Sequence, residues 1–224
     1  MSVIQLHNQD CMEAMAEMKD KAFDLAIVDP PYGIGQATKK FRSGVQGRQG
    51  VNPKWNNETW VDYSLKEWDD TKPNDVYFQE LARVSKNQIV WGGNFFSLPV
   101  HSGWIFWNKL NGESSFSDGE LAWTSFDRAL RMFSFLWHGF QRGQQVKRIH
   151  PTQKPVKLYE WLLKHYAKPG DRILDTHLGS GSIAIACYNL DYDLTGYEID
   201  KEYFEAGKAR LEDHIKQERL FSCQ

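Results

Sequence analysis

Apolar residues along the chain are concentrated in short runs separated by polar or amphipathic stretches. The run from Phe23 to Val28 is apolar or small at five of its six positions, which is the pattern of a buried strand. Further runs rich in aromatic and β-branched residues also predict strands; they cover residues 3–7, 88–91, 104–107, 121–126, 129–137, 172–175 and 194–198. We expect the aromatic stretch from Met132 to Phe140 to be a buried strand.

Stretches with apolar residues three and four positions apart predict helices over residues 10–18, 73–86, 156–166, 183–188 and 201–218. Asp10 and Asp200 stand where the N-caps of the first and last helix would be. The predicted inward face of the second helix consists of Val76, Tyr77, Leu81 and Val84. Because strands alternate with helices, the pattern predicts an α/β fold with a doubly wound, mostly parallel sheet.

The strand that ends at Val28 runs into Asp29-Pro30-Pro31-Tyr32. Two prolines cannot continue a sheet ladder, so the chain turns there and holds carboxylate and carbonyl acceptors beside an aromatic ring. A planar substrate with an exocyclic NH2 group fits these acceptors and that ring. A strand end with Tyr32 packed in the core is equally compatible with the tetrapeptide, so other motifs have to decide.

A second candidate site is Gly179-Ser180-Gly181, which lies between a predicted strand and a predicted helix. Small residues there allow a ligand to approach the backbone at the carboxyl edge of the sheet. Glu198 follows Gly181 by seventeen positions and ends the next strand, where an acid can accept both hydroxyls of a ribose. Two glycines are a weak pyrophosphate fingerprint, so the pattern favours an adenosyl ligand.

Length and cysteine content narrow the class of protein. The 224 residues suit one α/β domain with a modest insertion. Cys11, Cys187 and Cys223 show no C-x-x-C spacing, which predicts neither a disulfide framework nor a cysteine zinc site. No metal site is expected. No apolar run approaches the roughly 18 residues of a membrane span, so we expect a soluble, cytoplasmic protein with no membrane partner.

The net charge of −2 conceals two basic segments without acids. The first, residues 36–57, lies in a long stretch without periodicity that we expect to be a mobile loop near residues 36–60; the second is residues 128–154. Such segments predict a local phosphate-binding face. The candidate phosphate-binding residues are Lys39, Lys40, Arg42, Arg48, Lys54, Arg142, Lys147 and Arg148.

Four motifs together resemble the S-adenosylmethionine-dependent DNA amino-methyltransferases. They are Asp29 to Tyr32, Leu174 to Ser182, Gly196 to Asp200, and His150-Pro151-Thr152-Gln153-Lys154-Pro155. Their order, with the catalytic turn before the glycine loop, resembles the permuted group called the β class. The resemblance implies a Rossmann-like methyltransferase fold with a circularly permuted motif order, in one catalytic domain that spans residues 1–224.

The resemblance also implies roles for individual residues. Asp29, Pro30, Pro31 and Tyr32 would hold a flipped base and its amine. S-adenosylmethionine would contact Asp10 and Cys11 with its adenine and Glu198 with its ribose. Its methionine part would lie among Asp175, Gly179, Ser180 and Gly181, with Lys154 and Pro155 closing over it and Thr152 nearby.

Two departures from the family pattern are visible. Thr176-His177 stands where relatives usually have Pro-Phe, which affects the expected cofactor contacts. The region for target recognition, near residues 127–149, is very short. Recognition of double-stranded DNA would therefore fall to the basic loop and to Arg142 through Arg148, or be shared with a second subunit of a homodimer.

The expected reaction is methylation of adenine N6 in DNA, within restriction–modification in a bacterial or phage-infected cell. Asp29 resembles the adenine enzymes more than the Ser variant common among cytosine-N4 enzymes. The alternatives are an N4-cytosine DNA methyltransferase, an RNA or protein-glutamine methyltransferase, and a DNA-binding protein that has lost turnover. A nicotinamide-dependent oxidoreductase would leave Asp29 to Tyr32 unexplained.

Overall fold

The chain forms two compact units, residues 1–30 with 73–224 and residues 31–72. A computed structural model describes residues 2–34, 72–112, 117–138, 141–142 and 149–222. Of the second unit it therefore describes residues 31–34 and 72, where Gly33 has a φ of +69° and a Cβ on Gly33 would lie 3.3 Å from Lys72. The predicted mobile loop lies outside the described residues.

The strands of the first unit have the following bounds: β1 (Ile4–His7), β2 (Phe23–Val28), β3 (Ser85–Trp91), β4 (Trp104–Asn108), β5 (Gly119–Thr124), β6 (Arg131–Ser134), β7 (Trp137–His138), β8 (Gln141–Arg142), β9 (Arg172–Asp175) and β10 (Asp193–Tyr197). Its helices are α1 (Cys11–Glu17), α2 (Asp75–Val84), α3 (Val156–Tyr166), α4 (Ser182–Leu190) and α5 (Lys201–Ser222), with a 3-10 helix at Gly93–Phe95. Most predicted elements are thus confirmed to within a few residues.

Within the described ranges, eight strands form one sheet in the order β1-β10-β9-β2-β3-β5-β4-β6, and β7 pairs with β8. The pairs from β1 to β3 are all parallel, whereas β5 is antiparallel to both β3 and β4. Helices α1 and α2 pack on one face, and α3, α4 and α5 on the other. The predicted doubly wound, mostly parallel sheet is confirmed.

The centre of the sheet is buried on both faces, which explains the continuous apolar run of β2. Leu25, Ala26, Ile27 and Val28 are each at most 1% exposed. Asp10 caps α1 through bonds from Met12 N and Glu13 N, and Asp200 receives bonds from Glu202 N and Tyr203 N, which confirms both predicted caps.

Two details of the predicted core are wrong. Met132 lies in β6, which is an edge strand, and is 59% exposed, so this aromatic stretch is not a buried strand. Val76 is 52% exposed at the start of α2, whereas Tyr77, Leu81 and Val84 are buried. In both cases the local sequence is apolar, but the residue lies on a side of its strand or helix that no other described element covers. No helix in the described part of the chain is apolar enough over a sufficient length to cross a membrane.

Candidate active site at the carboxyl edge of the sheet

Four predicted carboxylates follow four neighbouring strands. Asp10 comes after β1, Glu198 directly after β10, Asp175 ends β9, and Asp29 directly follows β2. Because β1, β10, β9 and β2 are adjacent and parallel, their carboxyl ends lie at the same edge of the sheet. The structure therefore brings Asp29 and the candidate carboxylates of the cofactor site to one edge.

Glu198 has both carboxylate oxygens in backbone hydrogen bonds. Oε2 accepts from Gly179 N at 2.8 Å, and Oε1 accepts from Asp200 N at 2.9 Å. Burial raises the pKa of Glu198, although these two bonds favour the charged form. Each oxygen has a second lone pair, so the carboxylate fits a vicinal diol such as that of a ribose.

Next to Glu198, the ends of β1 and β10 form an edge with one apolar side chain. Asn8 Nδ2 donates to Glu198 O at 2.8 Å and to Ile199 O at 3.1 Å, which joins the two strand ends. Ile199 is 66% exposed and offers an apolar surface there. Ile199 was not among the site residues predicted from the sequence, although the apolar residue after Glu198 could have indicated it.

Cys11, the first residue of α1, has a neutral thiol, because burial raises the pKa of the thiol to about 12.

The glycine loop needs its glycines for backbone reasons. Gly179 has a φ of +50° and Gly181 a φ of +67°, both in the left-handed region. A Cβ on Gly181 would lie 3.1 Å from the carbonyl oxygen of Gly207, so α5 approaches the loop closely. The loop is therefore held against α5 while its other side faces the sheet edge.

Arg210 of α5 joins the glycine loop to the Lys154 segment. Its guanidinium donates to Ser180 O and to Ser182 Oγ, each at 2.8 Å, and Ser182 Oγ donates to Lys154 O at 2.7 Å. Arg210 could not be recognised from the sequence, because a basic residue in an amphipathic helix ordinarily indicates a solvated position. The two predicted cofactor segments are thus one connected structure.

The segment before α3 packs on the same loop. Pro155 occupies the N-cap position of α3. The Thr152 hydroxyl lies 3.1 Å from His150 Nδ1, and a Cβ on Gly179 would lie 3.7 Å from the His150 ring. The other side of that ring meets Tyr203, with the two ring centroids 4.3 Å apart. His150 therefore packs beside the glycine loop, and Thr152 contacts His150.

Asp175 is a buried acid with little compensation. The residue is only 2% exposed, and its Oδ1 accepts a hydrogen bond from His177 N at 3.0 Å. Burial, together with the charges of Asp29 and Glu198, raises the pKa of Asp175 to about 8 against the effect of that bond. A cationic ligand group beside this carboxyl would favour its charged form.

The departure at Thr176-His177 is accommodated by a buried hydrogen-bond chain. Thr176 Oγ1 lies 2.6 Å from the Tyr77 hydroxyl and 2.9 Å from His177 Nδ1. Burial lowers the pKa of His177 to about 4, so the imidazole is neutral at physiological pH. These polar residues are satisfied by one another, and the loop keeps its place at the end of β9.

Asp29 and Lys154 form an ion pair at this edge. Lys154 Nζ donates to Asp29 Oδ2 and lies 3.1 Å from Glu120 Oε2. The residues sequence analysis missed here are Glu120, Lys109 and Trp91, which contact Lys154 directly or through Glu120. The sequence feature that could have pointed to these residues is Glu120 itself, an acid at the start of the otherwise apolar strand β5.

The remaining predicted residues are placed as follows. Pro30 is buried at the end of the first unit, and Pro31 and Tyr32 begin the second. Arg142 lies in β8; Lys39, Lys40, Arg42, Arg48, Lys54, Lys147 and Arg148 lie outside the described residues. Among the residues that are described, no cluster of three or more His, Cys, Asp and Glu side chains could hold a metal ion.

The donor set at the edge fits S-adenosylmethionine. Glu198 can accept a diol, Asp175 is a buried acid suited to a cationic group, and the glycine loop, which has no side chain at Gly179 and Gly181, is bonded to Glu198 through Gly179 N. A nicotinamide dinucleotide would need a site for its pyrophosphate, and a third glycine is missing from the loop.

Solved structures share this fold. The chain aligns with the M1.HpyAVI–SAM complex at a TM-score of 0.57 and 21% identity, covering 93% of this chain and 100% of that one. With the PvuII DNA methyltransferase, described as cytosine-N4-specific, the TM-score is 0.54 at 13% identity, covering 96% and 92%. The fold is therefore that of the Rossmann-like DNA methyltransferases.

Sequence relatives and a family model agree with the fold. The chain is 24% identical over 263 residues to the Type II methyltransferase M.HpaI of Haemophilus parainfluenzae, covering 96% of this chain and 77% of that protein. It is 21% identical over 255 residues to the Type II methyltransferase M2.MboI of Moraxella bovis, covering 93% and 87%. A family model described as DNA methylase matches residues 54–209, more than half of the chain. The chain therefore belongs to the N6-adenine/N4-cytosine family of DNA methyltransferases, whose methyl donor is S-adenosylmethionine.

Proposed function

We propose that this chain methylates the exocyclic N6 of adenine in DNA. The observation that supports this most is the position of Asp29. Its carboxylate follows the central strand β2 and lies at the same edge as Asp175, the glycine loop and Glu198. A substrate amine held by Asp29 would thus be next to a cofactor held by the neighbouring strands.

The choice of adenine rests on the residue at the head of the turn. Asp at position 29 resembles the adenine enzymes, whereas Ser is common among cytosine-N4 enzymes. M.HpaI and M2.MboI are named Type II methyltransferases, which supports DNA as substrate and a place in restriction–modification. The PvuII enzyme, named as cytosine-N4-specific, has the same fold, so the fold does not distinguish the two bases.

In the proposed reaction, the side chain of Asp29 and the carbonyl of Pro30 accept the two N–H bonds of the amine. This favours a pyramidal nitrogen whose lone pair is available for attack. S-adenosylmethionine supplies a methyl group made electrophilic by its sulfonium. The S–C electron pair would stay on sulfur, so that S-adenosylhomocysteine leaves as the new N–C bond forms. Asp29 would stabilise the positive charge on nitrogen, whose proton would then pass to water and leave the neutral methylamine. Tyr32 would stack on the base, and Pro31 would stiffen the turn.

The cofactor roles follow the order of the strands. Asp10 and Cys11 would contact the adenine, Glu198 the ribose hydroxyls, and Asp175 with Gly179, Ser180 and Gly181 the methionine part. Thr152, Lys154 and Pro155 would border that part from the segment before α3. The connection of this segment to the glycine loop through Ser182 supports a shared role.

DNA binding is assigned to the two basic segments. A base inside a duplex has to be flipped out before its amine can react, and cations on the phosphates would stabilise the distorted backbone. The residues proposed for this are Lys39, Lys40, Arg42, Arg48, Lys54, Arg142, Lys147 and Arg148. Since the recognition region near residues 127–149 is short, a second copy of the chain would share target recognition.

The test is to incubate the protein with unmethylated DNA and isotopically labelled S-adenosylmethionine, digest the DNA and identify labelled nucleosides by mass spectrometry. Asp29→Ala is run beside the wild type. Glu17→Ala is the control, because Glu17 is an exposed acid at the end of α1. We expect N6-methyladenine with the wild type and the control, and none with Asp29→Ala.

Two results would contradict the proposal in different ways. Label in N4-methylcytosine would keep the methyl transfer and overturn the choice of base. Absence of label in DNA would overturn DNA methylation altogether, and the same assay with RNA would then test the next substrate. Binding of S-adenosylmethionine by Asp29→Ala, measured by calorimetry, separates loss of chemistry from loss of the cofactor site.

A further inference from the structure

The Lys154 ammonium lies between two carboxylates. Nζ donates to Asp29 Oδ2, lies 3.1 Å from Glu120 Oε2, and lies 5.2 Å from the centroid of the Trp91 ring. The Lys154 side chain is 3% exposed, whereas those of Asp29 and Glu120 are 15% and 25% exposed. The cation is therefore enclosed, whereas part of each acid side chain is exposed.

Glu120 has a second cation on its other oxygen. Lys109 Nζ donates to Glu120 Oε1 at 2.5 Å and lies 4.9 Å from the centroid of the Trp107 ring. Asp29, Lys154, Glu120 and Lys109 thus form a row in which acids and bases alternate. The row crosses from the end of the parallel strand β2 to the antiparallel strands β5 and β4.

Both inner members of the row are held in their charged forms. Burial opposes the charge of Lys154, but Asp29 and Glu120 outweigh it and raise the pKa of Lys154. Burial likewise opposes the charge of Glu120, but Lys154 and Lys109 lower its pKa to about 2. Asp175 of β9 is a further acid whose charge Lys154 favours. The titratable groups that act on Lys154 are therefore Asp29 and Glu120, which contact it, Asp175, whose charge it favours, and Lys109 behind Glu120.

This arrangement competes with the proposed task of Asp29. A lysine bound to Asp29 occupies an acceptor that the substrate amine needs, and its charge opposes the positive charge that develops on the amine. Lys154 cannot simply be left without a counter-ion, because a buried charge without a partner is strongly unfavourable. Glu120, already 3.1 Å away on the other side, can take over that role.

We propose that Glu120 is a positioning residue for methyl transfer, which holds Lys154 when Asp29 accepts the substrate amine. Lys109 keeps Glu120 in place by binding its other oxygen. The inference rests on the proposed role of Asp29 and applies equally to adenine and cytosine as target. It assigns a role in the reaction to three residues outside the four family motifs: Glu120, Lys109 and Trp91, the last as the aromatic surface under Lys154.

The test compares Glu120→Gln with the wild type in steady-state methylation of DNA. The amide keeps the size and one acceptor but removes the charge. Glu160→Gln is the matched control, because Glu160 of α3, with a side chain 12% exposed, also pairs with a lysine, Lys157 at 3.2 Å, but takes no part in the row of charges around Lys154. We expect Glu120→Gln to lower kcat about tenfold or more with KM values for DNA and S-adenosylmethionine within about twofold, and Glu160→Gln to behave as wild type.

A pH profile distinguishes positioning from a merely structural role. In Glu120→Gln, Lys154 remains on Asp29 until it loses its proton, and losing one of its two carboxylates lowers the pKa of Lys154 relative to the wild type, so kcat should recover relative to wild type as the pH rises from neutrality towards the ordinary lysine pKa of about 10.4. Glu120→Asp, which keeps the charge, should regain a large part of the rate at neutral pH. A structural defect would lower kcat evenly over this range.

Three results would overturn the inference. They are wild-type kcat in Glu120→Gln, a loss that is independent of pH, and a Glu120→Asp variant as slow as Glu120→Gln. If the wild type itself labels no DNA base, the proposed function fails first, and the role of Glu120 falls with it. If the wild type is active and Glu120→Gln is equally active, only the role of Glu120 fails.

Discussion

Lys154 and Asp29 form an ion pair across 125 positions of the chain. Asp29 follows the central strand β2, and Lys154 lies one residue before the N-cap of α3. The pair therefore joins the proposed catalytic turn to the segment that packs on the glycine loop. Because Lys154 is buried, the pair matters for stability as well as for chemistry.

Replacing Lys154 by methionine should destabilise the ligand-free protein. The substitution keeps most of the apolar stem but leaves Asp29 and Glu120 facing each other without the cation between them. Removing one partner of a buried pair typically costs about 3 kcal/mol or more in the free energy of unfolding. Urea denaturation followed by circular dichroism measures this loss.

Lys157→Met is the control for that experiment. Lys157 is 51% exposed and pairs with Glu160 one turn along α3, so the same change there should cost less than about 1 kcal/mol. Equal stabilities of Lys154→Met and the wild type would show that the buried pair contributes nothing net to folding.

The four carboxylates at the sheet edge could be predicted from the sequence, because each follows an apolar run that predicts a strand. Parallel strands place their carboxyl ends together, so Asp29, Asp175 and Glu198 needed only the strand assignments and the fold class. The contact between Lys154 and Glu120 could not be predicted. It depends on β5 lying antiparallel beside β3, and no local pattern specifies that neighbour.

The exposure of Met132 could not be predicted for the same reason. An apolar run indicates a strand but does not tell a central position from an edge, and β6 is at the edge of the sheet. The contacts of Arg210 could not be predicted either, because a basic residue in an amphipathic helix ordinarily faces solvent. In the structure, α5 approaches the glycine loop closely enough for Arg210 to bond Ser180 and Ser182.

Binding of S-adenosylmethionine should release a proton from Asp175. With a pKa of about 8, this carboxyl is mostly protonated at about pH 7 in the ligand-free protein. A cationic ligand beside it would lower the pKa and expel the proton. Calorimetry in two buffers with different ionisation enthalpies gives the number of protons released, which should approach one at about pH 7 and fall at about pH 9, where Asp175 is already ionised.

Asp175→Asn is the control for proton release. The amide cannot ionise, so the release at neutral pH should decrease by the amount that Asp175 supplied, and any titration of the ligand itself remains. The same proton release in Asp175→Asn and in the wild type would place the source elsewhere and contradict the assignment.

The buried chain from Tyr77 through Thr176 to His177 should be energetically coupled. Thr176→Val removes the hydroxyl that bonds Tyr77 at 2.6 Å and leaves the Tyr77 hydroxyl buried without that partner, which should cost about 1–3 kcal/mol. Tyr77→Phe should cost a similar amount. The double variant should lose less than the sum, with a coupling of about 0.5 kcal/mol or more in urea denaturation. Strict additivity would mean that the two hydroxyls do not interact.

Gly181→Ala should disrupt the glycine loop more than Gly170→Ala disrupts its turn. Both glycines have positive φ, +67° and +86°, so each alanine incurs a left-handed backbone cost of about 1–2 kcal/mol. A Cβ at Gly181 would in addition lie 3.1 Å from the Gly207 carbonyl oxygen, whereas at Gly170 it would meet no described atom within 4 Å.

Gly181→Ala should therefore lower the melting temperature more than Gly170→Ala does. Because α5 or the loop has to move, Gly181→Ala should also weaken S-adenosylmethionine binding in calorimetry. Gly170→Ala should leave that affinity unchanged. Equal losses of stability with no change in affinity would show that the close approach of α5 does not shape the cofactor loop.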